Sequence, residues 1–173
     1  AIVLPEFGSN TAAALKFSGI DRIAQRYGVT LIDFEGSEHK KVEINGHTFK
    51  IAAPAMEKDF LINVPVLKTH NQAIVSLGLK NLKGCLKFSS KKMFHRRGPL
   101  LDLIGQLNLH ITSDLVVIDG TYAMDRGPTL GMAHPMDVII AGRDVLETDM
   151  VEAAVLGKDP EKILKNVFEL TEL

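Results

Sequence analysis

The stretch INVPVLKTHNQAIVSLGLKNLKG, from Ile62 to Gly84, joins an apolar segment to a dense group of cations. Its first residues are apolar except for Asn63, a pattern typical of a strand that is covered on both faces. The apolar segment gives way to Lys68 and His70, and a second basic group begins at Lys80. The stretch therefore predicts a buried strand whose carboxyl end carries positive charge.

Length and composition suit one globular domain that covers residues 1–173. The chain is 46% hydrophobic and 24% charged, which is ordinary for a soluble protein. No apolar run approaches the ~20 residues that cross a bilayer, and the start lacks the pattern of a signal peptide. Cys85 is the only cysteine, so an intramolecular disulfide is excluded. These observations predict a cytoplasmic protein without a membrane partner.

The basic residues are concentrated in one part of the chain. Residues 60–101 contain no Asp or Glu, yet they hold eight of the 20 basic residues. The remainder has 12 basic against 21 acidic residues, and this segregation indicates an anion-facing surface. The alternative is a solvated loop that pairs with acidic neighbours. Nucleic acid is not an expected partner, because only Phe88 and Phe94 could stack on bases among residues 68–97, which hold the basic side chains.

Apolar segments that alternate with helical patterns predict an α/β fold, with a layered, mostly parallel sheet, flanking helices and one β-hairpin. Asn45-Gly46 is the hairpin signal. Helices are predicted over 12–27 with a break at Gly19, and over 100–111, 144–156 and 160–168. The segments Phe60–Leu67, Leu115–Ile118 and Val138–Ala141 are expected as central, mostly parallel strands. The other strand candidates are Ile2–Leu4, Val29–Phe34, Lys41–Ile44 and Thr48–Ile51.

The helix over 144–156 is expected to bury an apolar stripe. Asp144 is predicted as its N-cap, and Asp149 as a partner of the helix dipole. The predicted stripe includes Val145, Val151, Ala154 and Val155.

Ligands of open α/β sheets lie beyond the carboxyl ends of the strands, and this rule gathers residues that are distant in sequence. Lys68 and His70 follow the 60–67 strand, Asp119 follows the 115–118 strand, and Asp144 follows the 138–141 strand. We expect Lys68, His70 and Asp119 to share one pocket. Lys68 would bind and polarise an anion, His70 would transfer a proton, and Asp119 would orient a lysine or a metal ion. The identity of any metal is left open.

A second group of residues is predicted to bind the same ligand. Glycine beside lysine and asparagine permits close approach of backbone to a phosphate or carboxylate. Because like charges repel and apolar anchors are few, residues 83–98 are expected to be loosely ordered without a ligand. Cys85 is expected to be a buried structural residue. The predicted ligand-binding residues are Lys80, Asn81, Lys83, Gly84, His95 and Arg96.

Several stretches resemble the family called domain of unknown function 362 (DUF362). The resemblance extends over roughly residues 55–160. The name of the family implies that its reaction is not established. The matching pieces, in the family's order, are DFLINVPVLKTH (59–70), GLKNLKGC (78–85), DLVVIDG (114–120) and VIIAGRD (138–144).

The resemblance also implies features that this chain lacks. Members carry an upstream Lys-Pro-Asn motif that is absent here, so the chain is expected to be a fragment without its N-terminal segment. Many members carry ferredoxin-like cysteine motifs for 4Fe–4S clusters. With Cys85 alone, no iron–sulfur cluster is expected within this chain, and any cluster would lie in a missing part or in a partner.

Two functional interpretations follow. In the first, the domain binds a small anionic substrate or cofactor at the strand ends for proton-transfer or redox-linked chemistry. In the second, it is a non-catalytic docking domain whose basic tract holds a ferredoxin-like domain or protein. Convergence of Lys68, His70 and Asp119 in a concave pocket favours the first. The second requires a convex face that carries Lys87, Lys91, Lys92, Arg96 and Arg97.

Overall fold

The computed structural model describes residues 11–70, 74–76, 78–125 and 131–163. A 3-10 turn, Leu82–Cys85, lies between the helices Gly78–Asn81 and Phe88–Phe94, and a further helical segment begins at residue 160. The helices are α1 (Thr11–Ser18), α2 (Ile20–Tyr27), α3 (Ala53–Met56), α4 (Gly78–Asn81), α5 (Phe88–Phe94), α6 (Leu100–His110) and α7 (Val145–Val155). The strands are β1 (His39–Ile44), β2 (His47–Ala52), β3 (Ile62–Asn63), β4 (Val66–His70), β5 (Ile74–Val75), β6 (Leu115–Met124) and β7 (Ala133–Gly142).

The main sheet is mixed and has β6 at its centre. Both β3 and β4 pair in parallel with the same side of β6, with Ile62 opposite Leu115 and Val66 opposite Asp119. They are two parts of one predicted strand, divided at Pro65, which has no N–H to donate. Strand β5 extends the sheet beyond β4 in antiparallel orientation. The predicted α/β class, with helices against a sheet that contains parallel pairs, is confirmed.

Strand β7 contains the predicted strand Val138–Ala141, but it runs antiparallel to β6, so the predicted parallel orientation is wrong. The eight residues 125–132 between β6 and β7 are too few for a parallel crossover, which needs about a dozen or more. The carboxyl end of β7 consequently meets the amino end of β6, where Gly142 pairs with Val116. Asp144 therefore does not share a rim with Lys68.

The predicted hairpin is confirmed as β1 and β2, which pair in antiparallel register. Asn45 and Gly46 have φ of 50° and 71°, the left-handed conformations that a two-residue turn of this kind requires. Ile44, Phe49 and Ile51 are buried in the larger hydrophobic core. The hairpin therefore forms a second layer rather than an exposed arm.

The N-terminal helix breaks where the sequence predicted. Gly19 and Gly28 have φ of 76° and 63°, and they separate α1 from α2 and end α2. The predicted strand Val29–Phe34 is wrong: this segment has no strand, and only Phe34 is buried in the core. The predicted strand Ile2–Leu4 and most of the predicted helix over 160–168 lie outside the described residues.

One face of the main sheet carries apolar side chains that the described part of the chain does not cover. Ile62, Val64 and Val66 are exposed, and Ile139 of β7 is 73% exposed. On the opposite face, Leu67 and Ile118 are fully buried and belong to a core cluster that includes residues of α7. The expected burial of the 60–67 strand on both faces is therefore wrong for the residues that the structure describes.

Residues 83–98 pack against the hairpin, so the expectation of a loosely ordered tract is wrong. Phe94 is fully buried, and its ring meets that of Phe49 edge to face at 5.2 Å. Hydrogen bonds of the backbone also connect this segment with the hairpin: the Lys87 N–H donates to the Lys50 carbonyl, and the Lys50 N–H donates to Ser90 Oγ. Apolar anchors and these hydrogen bonds outweigh the repulsion between the basic side chains of residues 83–98.

Replacing Phe94 by leucine is expected to lower the free energy of unfolding by about 1–2 kcal/mol, because the smaller side chain leaves space and loses the ring contact with Phe49. Urea denaturation measures this change. Phe17→Leu is the matched control, since Phe17 is 97% exposed and its replacement should cost less than about 0.5 kcal/mol. Equal losses in the two variants would contradict the packing of α5.

Candidate functional site

Helix α7 buries acidic side chains toward the rest of the domain. Asp149 and Glu152 are both 0% exposed, whereas Val151, which was predicted to be in the buried stripe, is 51% exposed. The predicted stripe is therefore wrong except at Val145, which packs against the core. Positions 145, 149, 152 and 156 lie on one face of a helix, and the two acidic residues occupy the middle of that face.

Asp149 binds the amino end of α4. Its Oδ1 accepts the Gly78 N–H at 2.8 Å, and its Oδ2 accepts the Leu79 N–H at 2.9 Å. A Cβ at Gly78 would lie 2.9 Å from Asp149 Oδ1, so a side chain at this position would disturb the contact. Asp149 thus holds a neighbouring segment and is not a dipole partner in the first turn of α7. Asp144 is the N-cap of α7, as predicted, since its Oδ1 accepts the Glu147 N–H at 2.9 Å.

Burial raises the pKa of Asp149 to about 7. The hydrogen bonds from Leu79 and Gly78 oppose this rise, and the negative charge of Asp144 adds to it. The loss of solvation is the largest effect, so the carboxyl group is partly protonated at neutral pH even though it accepts two N–H donors.

Glu152 is buried without the hydrogen bonds that Asp149 makes. Within the described residues, neither of its carboxyl oxygens has a hydrogen-bond partner. Burial, followed by the charge of Asp149, raises the pKa of Glu152 to about 9. The Lys68 N–H and ammonium group oppose this rise, although the N–H forms no hydrogen bond of normal geometry with Glu152. Glu152 therefore holds a proton at pH 7.

Ser76 connects the two lysines that sequence reasoning singled out. The Ser76 N–H donates to the Lys68 carbonyl at 2.9 Å, and Lys80 Nζ donates to Ser76 Oγ at 3.5 Å. Lys80 is only 7% exposed, and Lys68 is half-buried. We call Lys68, Ser76, Lys80, Asp149 and Glu152 the polar cluster. It lies where β4, α4 and α7 meet.

Asp119 lies inside β6, not after a strand end, because β6 continues to Met124. Its carboxylate is exposed and accepts the N–H and hydroxyl of Thr121 at 3.0 and 2.8 Å. These two hydrogen bonds lower the pKa of Asp119. Asp119 is opposite Val66 on the adjacent strand, whereas Lys68 is opposite Met124. Lys68 instead acts on Glu152, where its charge opposes the rise in the pKa of that carboxyl group.

The other predicted site residues fall into separate places. His70 is the half-buried last residue of β4 and pairs with Ile74. Lys83, which is buried, and His95 contact each other, with Nζ and Nε2 at 2.5 Å.

Asn81 serves the packing between β3 and α4. Its Nδ2 donates to Asn63 Oδ1 at 2.8 Å, and Asn63 Nδ2 donates to the Gly78 carbonyl at 2.8 Å. Gly84 is half-buried in the 3-10 turn, and Arg96 is exposed just after α5. The structure thus brings Lys68 and Lys80 to one serine and joins Lys83 to His95.

Glu152 was missed by sequence reasoning, because a glutamate in an amphipathic helix is ordinarily placed on the exposed face. One signal could have identified it. Asp149 and Glu152 lie three residues apart, and Val145 and Leu156 extend the same face in both directions. Two acids between apolar residues on one helical face indicate burial.

Cys85 is a buried thiol, as predicted, and burial raises its pKa to about 12. As the single cysteine of the chain it could supply only one ligand, whereas an iron–sulfur cluster ordinarily takes four cysteine ligands. The cysteine content of this chain does not fit such a cluster. In the part of the chain that the structure describes, no three His, Cys, Asp or Glu side chains group as metal ligands. No helix in these ranges is long and apolar enough to cross a membrane.

Comparison with known proteins supports the resemblance seen in the sequence. A protein of Synechocystis sp., named as thylakoid-associated, is 28% identical over 165 residues, which are 92% of this chain and 51% of the relative. The chain thus spans about half the length of that relative. No solved structure matches this chain. The model of the DUF362 family, described as a domain of unknown function, matches residues 5–154. The chain belongs to the DUF362 family.

Proposed function

We propose that this domain binds a small anionic ligand, a phosphate or a carboxylate, beside the polar cluster at the end of β4. Lys68 and Lys80 are its cationic groups. The observation that carries the proposal is the placement of Lys80 beside β4: its Nζ donates to Ser76 Oγ at 3.5 Å, the Ser76 N–H donates to the Lys68 carbonyl, and Lys80 is only 7% exposed. The raised pKa values of Asp149 and Glu152 support it, because carboxyl groups that are not fully ionised at pH 7 bring little negative charge to this place.

The surrounding sequence favours the same ligand class. Residues 60–101 supply no acidic side chain, so an approaching anion meets only positive charge from this part of the chain. His70 follows Lys68 by two residues and is the proposed proton-transfer group, since an imidazole titrates near neutral pH. Asp119 on the adjacent strand is proposed to orient a cation at this site. Arg96, which is exposed, is proposed to extend the positive surface, whereas Lys83 is buried in contact with His95, and Asn81 and Gly84 carry no charge.

Replacing Lys68 by alanine is expected to weaken the binding of inorganic phosphate or oxalate by about 1–3 kcal/mol, the range for a lost hydrogen bond to a charged group. Isothermal titration calorimetry at pH 7 measures the affinity, and circular dichroism checks that the variant is folded. Lys92→Ala is the matched control, because Lys92 is exposed on α5 and its ammonium lies over the Phe88 ring. Equal affinity of wild type and Lys68→Ala would refute the proposal.

The docking interpretation draws on a different set of side chains. Lys92, Arg96 and Arg97 are exposed on α5 and directly after it, where an acidic ferredoxin-like partner could reach them. Binding of such a partner would fall steeply with salt and would be insensitive to Lys68→Ala. Titrating an acidic ferredoxin into the two variants therefore separates the two functions, because docking predicts weaker binding by Lys92→Ala and unchanged binding by Lys68→Ala.

A further inference from the structure

We infer that helix α2 and the end of α1 bind the surface of an anionic lipid bilayer. This inference goes beyond the proposed function and does not depend on it, because it uses different residues. The sequence predicts no membrane partner, since no apolar run is long enough to cross a bilayer, but a helix that lies on a bilayer needs no such run. We call the following residues the α1–α2 surface: Lys16, Phe17, Arg22, Ile23, Arg26 and Tyr27.

The domain covers only part of the apolar face of α2. Ala24 is buried and Ile20 is half-buried, so this side of the helix packs against the rest of the chain. Ile23 and Tyr27 lie one turn apart beside them, and they are 58% and 69% exposed. The apolar face of α2 is therefore wider than the part that the described residues cover.

Basic side chains flank the exposed part of this face. Arg22 and Arg26 are exposed and lie one turn apart on α2, next to Ile23 and Tyr27 in the sequence. The Arg26 guanidinium lies over the Tyr27 ring, with 5.6 Å between Cζ and the ring centroid. Aromatic rings beside long basic side chains suit a bilayer interface, where the apolar parts are buried and the charges stay among the headgroups.

Phe17 extends the surface from α1. In the described ranges it is the most exposed of the large hydrophobic side chains, at 97%. Gly19 separates α1 from α2, and a Cβ at Gly19 would lie 3.2 Å from Arg22 Nη2. The Arg22 guanidinium therefore lies beside the junction that follows Phe17, where exposed Lys16 adds a further positive charge.

The charge of this segment favours an anionic bilayer as the occupant. Residues 11–32 hold three basic residues against one acidic residue, Asp21, which gives a net charge of +2, whereas the whole chain has −1. Attraction to a negative surface is therefore local, and it turns the α1–α2 surface toward the bilayer. Phe17, Ile23 and Tyr27 then enter the boundary between headgroups and acyl chains.

Cosedimentation with lipid vesicles tests the inference. Wild type is expected to bind vesicles of equal parts phosphatidylglycerol and phosphatidylcholine, and to bind pure phosphatidylcholine vesicles much more weakly. Replacing Arg22 and Arg26 together by glutamine should weaken binding about tenfold, and Phe17→Ser should do the same through lost apolar burial. The matched control replaces Lys41 and Lys50 by glutamine. These exposed lysines are paired across the hairpin, and their loss should leave vesicle binding unchanged.

The other outcomes overturn the inference. Absence of binding does so, as does equal binding to the two kinds of vesicle. If Lys68→Ala loses vesicle binding and the double arginine variant keeps it, lipid phosphates bind at the proposed anion site instead. If analytical ultracentrifugation shows a wild-type dimer that Phe17→Ser dissociates, a second copy covers this surface. Should circular dichroism show that the double arginine variant is unfolded, Phe17→Ser decides, because such an exposed side chain contributes little to folding, and unchanged binding overturns the inference.

Discussion

Replacing Glu152 by glutamine is expected to raise the free energy of unfolding at pH 9 by about 2–4 kcal/mol. In the folded chain the pKa of Glu152 is about 9, against an ordinary value of 4.5. A pKa shift of this size corresponds to a free-energy cost of ~6 kcal/mol for ionising Glu152 in the folded chain. The expected gain of about 2–4 kcal/mol is smaller because the structure relaxes around an ionised group. Glutamine has nearly the same shape and carries no charge, so it removes the cost of ionising a buried acid.

The sign of the pH dependence distinguishes this effect from ordinary repacking. The folded state of wild type binds the Glu152 proton more tightly than the unfolded state does, so the stabilisation is complete below pH 4.5 and declines as pH rises toward 9. The difference between Glu152→Gln and wild type should therefore be near zero at pH 4 and increase up to pH 9. Asp149, with a pKa of about 7, contributes its own decline between pH 4 and pH 7 in both proteins.

Urea denaturation at pH 4, 7 and 9 measures these differences. Glu147→Gln provides the control, because Glu147 is exposed on the same helix and its replacement should change stability by less than about 0.5 kcal/mol at each pH. A stability gain that is equal at all three pH values would show that Glu152 is not a buried acid with a raised pKa.

The sequence predicted the parts of the fold that local chemistry determines. Asn45-Gly46 specifies its turn through left-handed backbone conformations, and Gly19 and Gly28 end helices for the same reason. The apolar runs at 60–67 and 115–118 became adjacent strands of one sheet. Strand orientation was missed at β7, although the short connection after β6 excludes a parallel crossover.

The candidate site was less predictable, because its acids are recognisable only in tertiary context. Lys68 and Lys80 stood out as cations in a tract without acids. Ser76 contacts both, through the main-chain carbonyl of Lys68 and the ammonium group of Lys80. The helical spacing of Glu152 from Asp149 and Leu156 is the one local feature that distinguishes it from exposed Glu147, five residues earlier on the same helix. What buries Glu152 is the set of elements that cover it, and a helical pattern alone does not specify which face is covered.

The contact between Asp149 and α4 is expected to be among the most important polar contacts of the domain. Asp149→Ala should lower the free energy of unfolding by about 2–4 kcal/mol at pH 7, because it leaves the Gly78 and Leu79 N–H groups buried without an acceptor. The loss should be larger at pH 5 than at pH 8. Wild type is most stable when Asp149 is protonated, and it loses that stabilisation as pH rises through about 7.

Asp144→Ala is the matched control, since Asp144 caps α7 from an exposed position and its loss should cost about 1 kcal/mol. Amide hydrogen exchange adds a local measurement: in Asp149→Ala the Gly78 and Leu79 amides should exchange much faster, while those of β6 follow global stability. If Asp149→Ala is no less stable than Asp144→Ala, and these two amides keep their protection, then Asp149 does not hold α4. Other contacts would then have to position Lys80, two residues after Gly78, at the proposed anion site.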